Sequence, residues 1–171
     1  EFSKDNALES YTEEQMIREL QGSKSHIGQM IGTTPRTFAY PCGQTFIGRG
    51  RQATSYVPLV ADRYLAGRLW LSEDSNNPAF CDLAQILAVE IDGLSYDGMK
   101  QLVDRAVSEN RWLIFAGHDI GAGGRQTAIV SELEKLCHYL KASDETIWVD
   151  TIANIADYIR SERQDEGEIS R

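Results

Sequence analysis

The sequence has few of the residues that hold disulfide-linked or zinc-binding proteins together. Its three cysteines, Cys42, Cys81 and Cys137, are widely spaced and form no CxxC pair. Neither a disulfide framework nor a thiolate metal site is therefore predicted. It also has only three histidines, and no two of them lie three or four residues apart as in an HxxxH element. We therefore predict no zinc site built from this chain alone; Asp and Glu could still bind a harder cation, but nothing in their spacing demands it.

Positive charge and long hydrophobic runs are also scarce. The chain has 17 Lys and Arg and 26 Asp and Glu, which gives a net charge of −9. Because this charge repels phosphate backbones and anionic lipid surfaces, neither nucleic acid nor a membrane is predicted as a partner. The longest apolar stretches, such as Trp112 to Ala116, are far shorter than the roughly 20 residues of a membrane helix. The chain starts Glu1-Phe2-Ser3, and we expect it to be processed or cut from something longer. No compartment follows from these residues.

The composition of the 171 residues, of which 42% are hydrophobic, is typical of one globular domain over residues 1–171. Helices alternate with strands, the pattern of an α/β fold whose parallel strands are joined by helical crossovers. A capping box, Thr12 with Gln15, marks the first helix, and residues 161–171 are expected to be a frayed tail. Predicted helices cover 12–31, 57–62, 95–110, 129–140 and 152–159, and predicted strands 36–41, 64–70, 86–92, 112–117 and 146–149.

Polar residues at the ends of predicted strands are the candidates for function, because reactive groups of α/β folds gather at the carboxyl ends of strands. His118 has two open interpretations: a catalytic imidazole, or a polar residue that fixes the turn after a buried strand. His26 and His138 lie in predicted helices and are interpreted as surface or packing residues. The strand-end candidates are Tyr40, Pro41, Cys42, Asp92, His118 and Asp119.

Two short motifs resemble known sites without matching them. "GLSYDG" (93–98) has the second glycine of a nucleophile elbow one residue late, so Ser95 is predicted to cap a helix. "GAGGRQ" (121–126) lacks the Walker lysine and the Rossmann spacing, and a flexible loop is predicted there.

Two longer segments, taken in order, resemble a known family. "GTTPRTFAYPCG" (32–43) is similar to the third motif of the polysaccharide deacetylases, the NodB-homology domains of carbohydrate esterase family 4. "NRWLIFAGHDI" (110–120) and "IWVDTIANIADYI" (147–159) resemble the last motif and the C-terminal end of that family. The resemblance covers most of this chain and the C-terminal two-thirds of the family domain. It implies an incomplete or irregular (β/α) barrel of mostly parallel strands.

The resemblance also implies a reaction and roles for single residues. It implies hydrolysis of N- or O-acetyl groups on a glycan, with a divalent metal such as zinc or cobalt in complete members, outside the cytoplasm. His118 would be the general acid, and Asp92 or Asp97 its carboxylate partner. The bend at residues 40–42 would bind substrate with its backbone, through the amide of Cys42, and Asp119 is a further substrate-binding candidate.

Departures from the family pattern lower the expected activity. The TFDDG-like first motif and the HxxxH second motif, which supply the base and the metal ligands, do not occur in this sequence. We therefore expect weak or no metal-dependent deacetylation by the isolated chain. The sequence is compatible with part of a longer deacetylase that has lost its N-terminal strands, with a non-catalytic carbohydrate-binding or interaction domain, or with the scaffold alone. An open side of the barrel would favour self-association.

Overall fold

The computed structural model describes residues 7–169 as a mixed α/β structure with short parallel strand pairs and five α-helices. This confirms the predicted α/β class. The described residues form two compact units: residues 7–69 with Asp82–Ile86, and Trp70–Cys81 with residues 87–169. The single domain predicted over residues 1–171 stays a prediction.

Helix α1 of the first unit, Glu13–Ile31, begins as the sequence predicts. The Thr12 hydroxyl accepts from the Gln15 amide at 3.2 Å, and the Gln15 side chain accepts from the Thr12 amide at 2.8 Å. The helix ends at Gly32, whose φ of 72° is the left-handed conformation that glycine adopts without a steric penalty. Within the unit, α1 buries Met16 and Leu20.

The first unit also contains one parallel and one antiparallel pair of strands. Strand β1 (Thr37–Ala39) pairs in parallel with β4 (Ala66–Arg68), and Phe38 lies opposite Gly67. Between β1 and β4 along the chain, β2 (Phe46–Ile47) and β3 (Thr54–Ser55) form an antiparallel pair. Helix α2 (Val57–Ala61) follows, with Pro58 in its first turn as predicted.

The second unit is built from two parallel pairs and three helices. Strand β5 (Val89–Glu90) leads through α3 (Tyr96–Ser108) into β6 (Phe115–Ala116), which pairs with it in parallel. Strands β7 (Asp119–Gly121) and β8 (Thr127–Ile129) form the other pair. Helices α4 (Val130–Ala142) and α5 (Ile152–Ile169) complete the unit. A core of Met99, Val103 and Leu136 joins α3 to α4.

Two local predictions at the C-terminal end need correction. The predicted strand over 146–149 is wrong, because the amides of Thr146 and Ile147 both donate to the Ser143 carbonyl and close a turn after α4. The expected frayed tail over 161–171 is helical as far as Ile169, and residues 170–171 lie outside the described residues. Among residues 7–169, no helix is both long and apolar enough to cross a membrane.

Candidate functional site

The register of β5 and β6 brings His118 to Asp92. Glu90 lies opposite Ala116 in this parallel pair. Side chains two residues apart on an extended chain point to the same side. Continuing each chain by two residues therefore places Asp92 level with His118, just beyond the carboxyl ends of both strands.

Both oxygens of the Asp92 carboxylate contact His118. Oδ2 lies 2.5 Å from the imidazole Nδ1, and Oδ1 accepts from the His118 amide at 3.2 Å. The Asp92 side chain is only 6% exposed, whereas that of His118 is 41% exposed. Because the carboxylate accepts hydrogen bonds, Nδ1 carries a proton and Nε2 is the ring nitrogen available for chemistry. This is an arrangement suited to general acid–base catalysis.

Two further side chains contact the imidazole. The Gln126 side-chain nitrogen lies 3.1 Å from Nε2, and it donates to that nitrogen when the ring is neutral. The Asp119 amide donates to the Gln126 carbonyl, which holds Gln126 at the start of β8. The Trp70 ring meets the imidazole edge-on, with centroids 4.7 Å apart. The ring of His118 is therefore contacted from three sides by Asp92, Gln126 and Trp70.

Gly117 gives the Asp92 carboxylate its space. A Cβ atom at position 117 would lie 2.9 Å from Asp92 Oδ1 and 3.1 Å from Ile91 Cγ1. These distances are shorter than van der Waals contact, so any larger residue would displace the carboxylate. The glycine before the histidine is thus a requirement of the Asp92–His118 contact.

Glu90 joins the same cluster, which sequence reasoning missed. One ligand atom each from Glu90, Asp92 and His118 lies within 4.8 Å of the other two. The spacing of Glu90 and Asp92 on one extended segment was the available indication, since it directs both carboxylates to one side. Gln126 and Trp70 had no comparable indication, because their contacts depend on how the chain folds back.

The other two predicted acidic residues lie away from the imidazole's hydrogen bonds. Asp97 is exposed in the first turn of α3, where its charge helps to raise the pKa of Lys135 after the larger effect of Glu132. The partner of His118, predicted as Asp92 or Asp97, is Asp92. The exposed Asp119 accepts from the Ile120 amide at 2.8 Å. Ser95 caps α3, as predicted, by accepting from the Gly98 amide.

The Tyr40–Cys42 bend belongs to the first unit. Tyr40 is 2% exposed, and its hydroxyl donates to the Ala84 carbonyl at 2.8 Å. Burial, and then the charge of Asp82, raises the pKa of Tyr40. The Tyr40 side chain therefore supports the bend from inside, and only Pro41 and Cys42 are exposed there.

Cys42 has an unusual backbone for a residue with a side chain. Its φ of 53° lies in the left-handed region, which is sparsely populated by non-glycine residues. The amides of Gly43 and Gln44 donate to the carbonyls of Tyr40 and Pro41. No hydrogen bond from the Cys42 amide is formed within residues 7–169, so this donor can serve a ligand.

Comparison of the chain with models of protein families, with curated proteins and with solved structures gave no match. The family resemblance drawn from the motifs therefore stays a prediction.

Proposed function

We propose that the chain is a polysaccharide deacetylase-like carbohydrate esterase that acts on N- or O-acetyl groups of a glycan. The observation that carries this proposal is the contact of 2.5 Å between His118 Nδ1 and the buried Asp92 Oδ2. It pairs the histidine of the family-like last motif with a carboxylate, as a general acid requires. The incomplete (β/α) barrel is part of the same proposal, supported by the alternation of helices with parallel strand pairs.

In the proposed reaction, His118 supplies a proton to the leaving group. Water adds to the acyl carbon and gives up a proton to solvent; as the bond between that carbon and the sugar nitrogen or oxygen breaks, the Nε2 proton of the protonated ring passes to the departing amine or alkoxide, and the acyl group leaves as acetate. Asp92 holds the ring at Nδ1 and stabilises its protonated form. The side chain of Gln126 occupies the position in front of Nε2, so it must move aside for the substrate.

The role of the Cys42 amide as a hydrogen-bond donor to substrate stays a prediction from the family resemblance. Asp97 has no part in the proposed mechanism. The base and the zinc or cobalt ligands of the family come from motifs that this sequence lacks. No step is assigned to them, and we expect turnover by this chain alone to be slow or absent.

Acetate release from acetylated chitooligosaccharide and acetylated xylan, measured both without metal and with added zinc or cobalt, tests the proposal. Release should be lost in His118→Ala and strongly reduced in Asp92→Asn. His138→Ala is the matched control, since His138 is an exposed helical histidine. Release that survives His118→Ala would contradict the role of the imidazole.

A non-catalytic glycan-binding domain is the second candidate, favoured by the missing first and second motifs. It predicts that the acetylated oligosaccharides bind without any release of acetate, which calorimetry with the same ligands measures. Failure of both binding and release would exclude acetylated glycans as partners under either proposal. Self-association stays a prediction, and sedimentation at high protein concentration tests it.

A further inference from the structure

Glu90 adds a second carboxylate to the Asp92–His118 pair. The ligand atoms of the three residues lie within 4.8 Å of one another, which is close enough for one small ion to contact all three. They come from the ends of two neighbouring parallel strands, so the backbone pairing of Glu90 with Ala116 fixes their spacing. The cluster is therefore held by the sheet rather than by a flexible loop.

The second carboxylate of the cluster, that of Glu90, is available to a ligand. The Glu90 carboxylate makes no hydrogen bond or salt bridge within residues 7–169. A further acidic residue lies beside β5, where the Glu73 carboxylate accepts from the Glu90 amide at 3.3 Å. The salt bridges of Arg49, Lys100, Arg105, Lys135 and Arg160 are formed with other carboxylates.

The burial of Asp92 is an independent indication. Its carboxylate is 6% exposed, and its hydrogen bonds within the described residues all come from His118. A buried carboxylate is costly unless positive charge or several donors compensate it. One imidazole is weak compensation for a buried carboxylate with Glu90 beside it. A bound cation would neutralise both.

We infer that Glu90, Asp92 and His118 form a binding site for one divalent cation of the zinc type. Imidazole nitrogen and carboxylate oxygen together are ligands that zinc and cobalt accept, whereas magnesium and calcium prefer oxygen alone. Three protein ligands leave a position open for water or a substrate oxygen. When the ion binds the imidazole, any proton on the coordinating nitrogen is released to solvent.

This site does not depend on the proposed esterase function, and it competes with it. A cation bound to His118 removes the ring from proton transfer, so cation binding and general acid catalysis by this residue exclude each other. Added zinc would then inhibit any acetate release that depends on His118. Failure of one proposal leaves the other intact, because cation binding is measured without glycan.

The test is calorimetric titration of tag-free, chelator-treated protein with zinc chloride and with cobalt chloride. We expect one ion per chain, and at least about tenfold weaker binding in Glu90→Gln and in Asp92→Asn. Glu134→Gln is the matched control, because Glu134 is exposed on α4 and its loss should leave the affinity unchanged. Thermal melting followed by circular dichroism verifies that the isosteric variants are folded.

Trp70 provides a second readout, since its ring lies 4.7 Å from the imidazole. Paramagnetic cobalt at the site should quench tryptophan fluorescence, and Trp70→Phe should remove most of the quenching. The inference is overturned if the wild-type chain binds neither ion stoichiometrically. It is equally overturned if Glu90→Gln binds as tightly as the Glu134→Gln control.

Discussion

In each unit, a glycine leaves space for a large polar side chain at the end of a strand. The two side chains differ in what their polar atoms contact. In the first unit, Gly67 leaves room for the Tyr40 ring, and the hydroxyl ends on a backbone carbonyl. In the second unit, Gly117 leaves room for the Asp92 carboxylate, which ends on the partly exposed imidazole of His118. The contact of the Tyr40 hydroxyl with a backbone carbonyl stabilises the fold. The contact of the Asp92 carboxylate with the His118 imidazole instead positions a side chain that can transfer protons.

Removal of the Tyr40 side chain should give the largest effect on stability. Its ring packs against Phe38 and Tyr56, with centroids 5.3 and 5.4 Å away. Tyr40→Ala should therefore lower the free energy of unfolding by about 3–5 kcal/mol, as large-to-small core substitutions do. Urea denaturation measures the change. Tyr158→Ala is the control, since Tyr158 is exposed, and a loss no larger than in the control would contradict the supporting role of Tyr40.

Gly67→Ala tests the close packing beneath the same tyrosine. A Cβ at this position would lie 2.6 Å from the Ala84 carbonyl oxygen and 2.8 Å from a ring carbon of Tyr40. Both neighbours must shift, and overpacking of this kind costs about 1–3 kcal/mol. The same denaturation measurement applies. A variant as stable as the wild type would show that β4 can move away from Tyr40 at no cost.

Sequence reasoning located the elements of both regions but not the contacts within them. The capping box at Thr12, the cap at Ser95 and the position of His118 after a strand depend on neighbouring residues, and these predictions are confirmed. The choice between Asp92 and Asp97 depended on strand register. A one-residue change of register would have turned a different side chain toward the imidazole.

The wrong prediction of a strand over 146–149 has the same physical origin. The apolar run at 146–149 favours a strand, but a strand forms only where a partner edge is available, and here the chain turns after α4 instead. The substrate-binding role that the family resemblance gives to the bend at Tyr40 stays a prediction, but the burial of the Tyr40 side chain was not foreseen. Its burial depends on the empty space above Gly67, which no local pattern reveals. Contacts between distant segments could therefore not be predicted from the sequence, whereas helix caps and turns could.

Gly117→Ala is expected to disturb the site more than the fold. The added methyl group would meet Asp92 Oδ1 at 2.9 Å and displace it from the imidazole. We expect any His118-dependent acetate release to fall at least about tenfold, since small displacements of catalytic groups cost this much or more. The Nδ1 proton resonance of His118 in NMR spectra should shift or broaden. Gly22→Ala in α1, where a Cβ meets nothing within 4 Å, should change neither.

The smallest effect is expected where a tyrosine hydroxyl meets a carboxylate in solvent. Tyr139 donates to Asp104 at 2.5 Å, and Lys100 lies 2.6 Å from the other oxygen. These hydrogen bonds, that of Lys100 first, hold the pKa of Asp104 below its usual 3.8. Because the folded-state pKa is the lower one, the stabilisation is present above pH 3.8 and is lost as pH falls through the folded-state value. Asp104→Asn should thus melt slightly below the wild type at neutral pH, with the difference shrinking in acid. A difference that persists unchanged in strong acid would contradict an electrostatic origin.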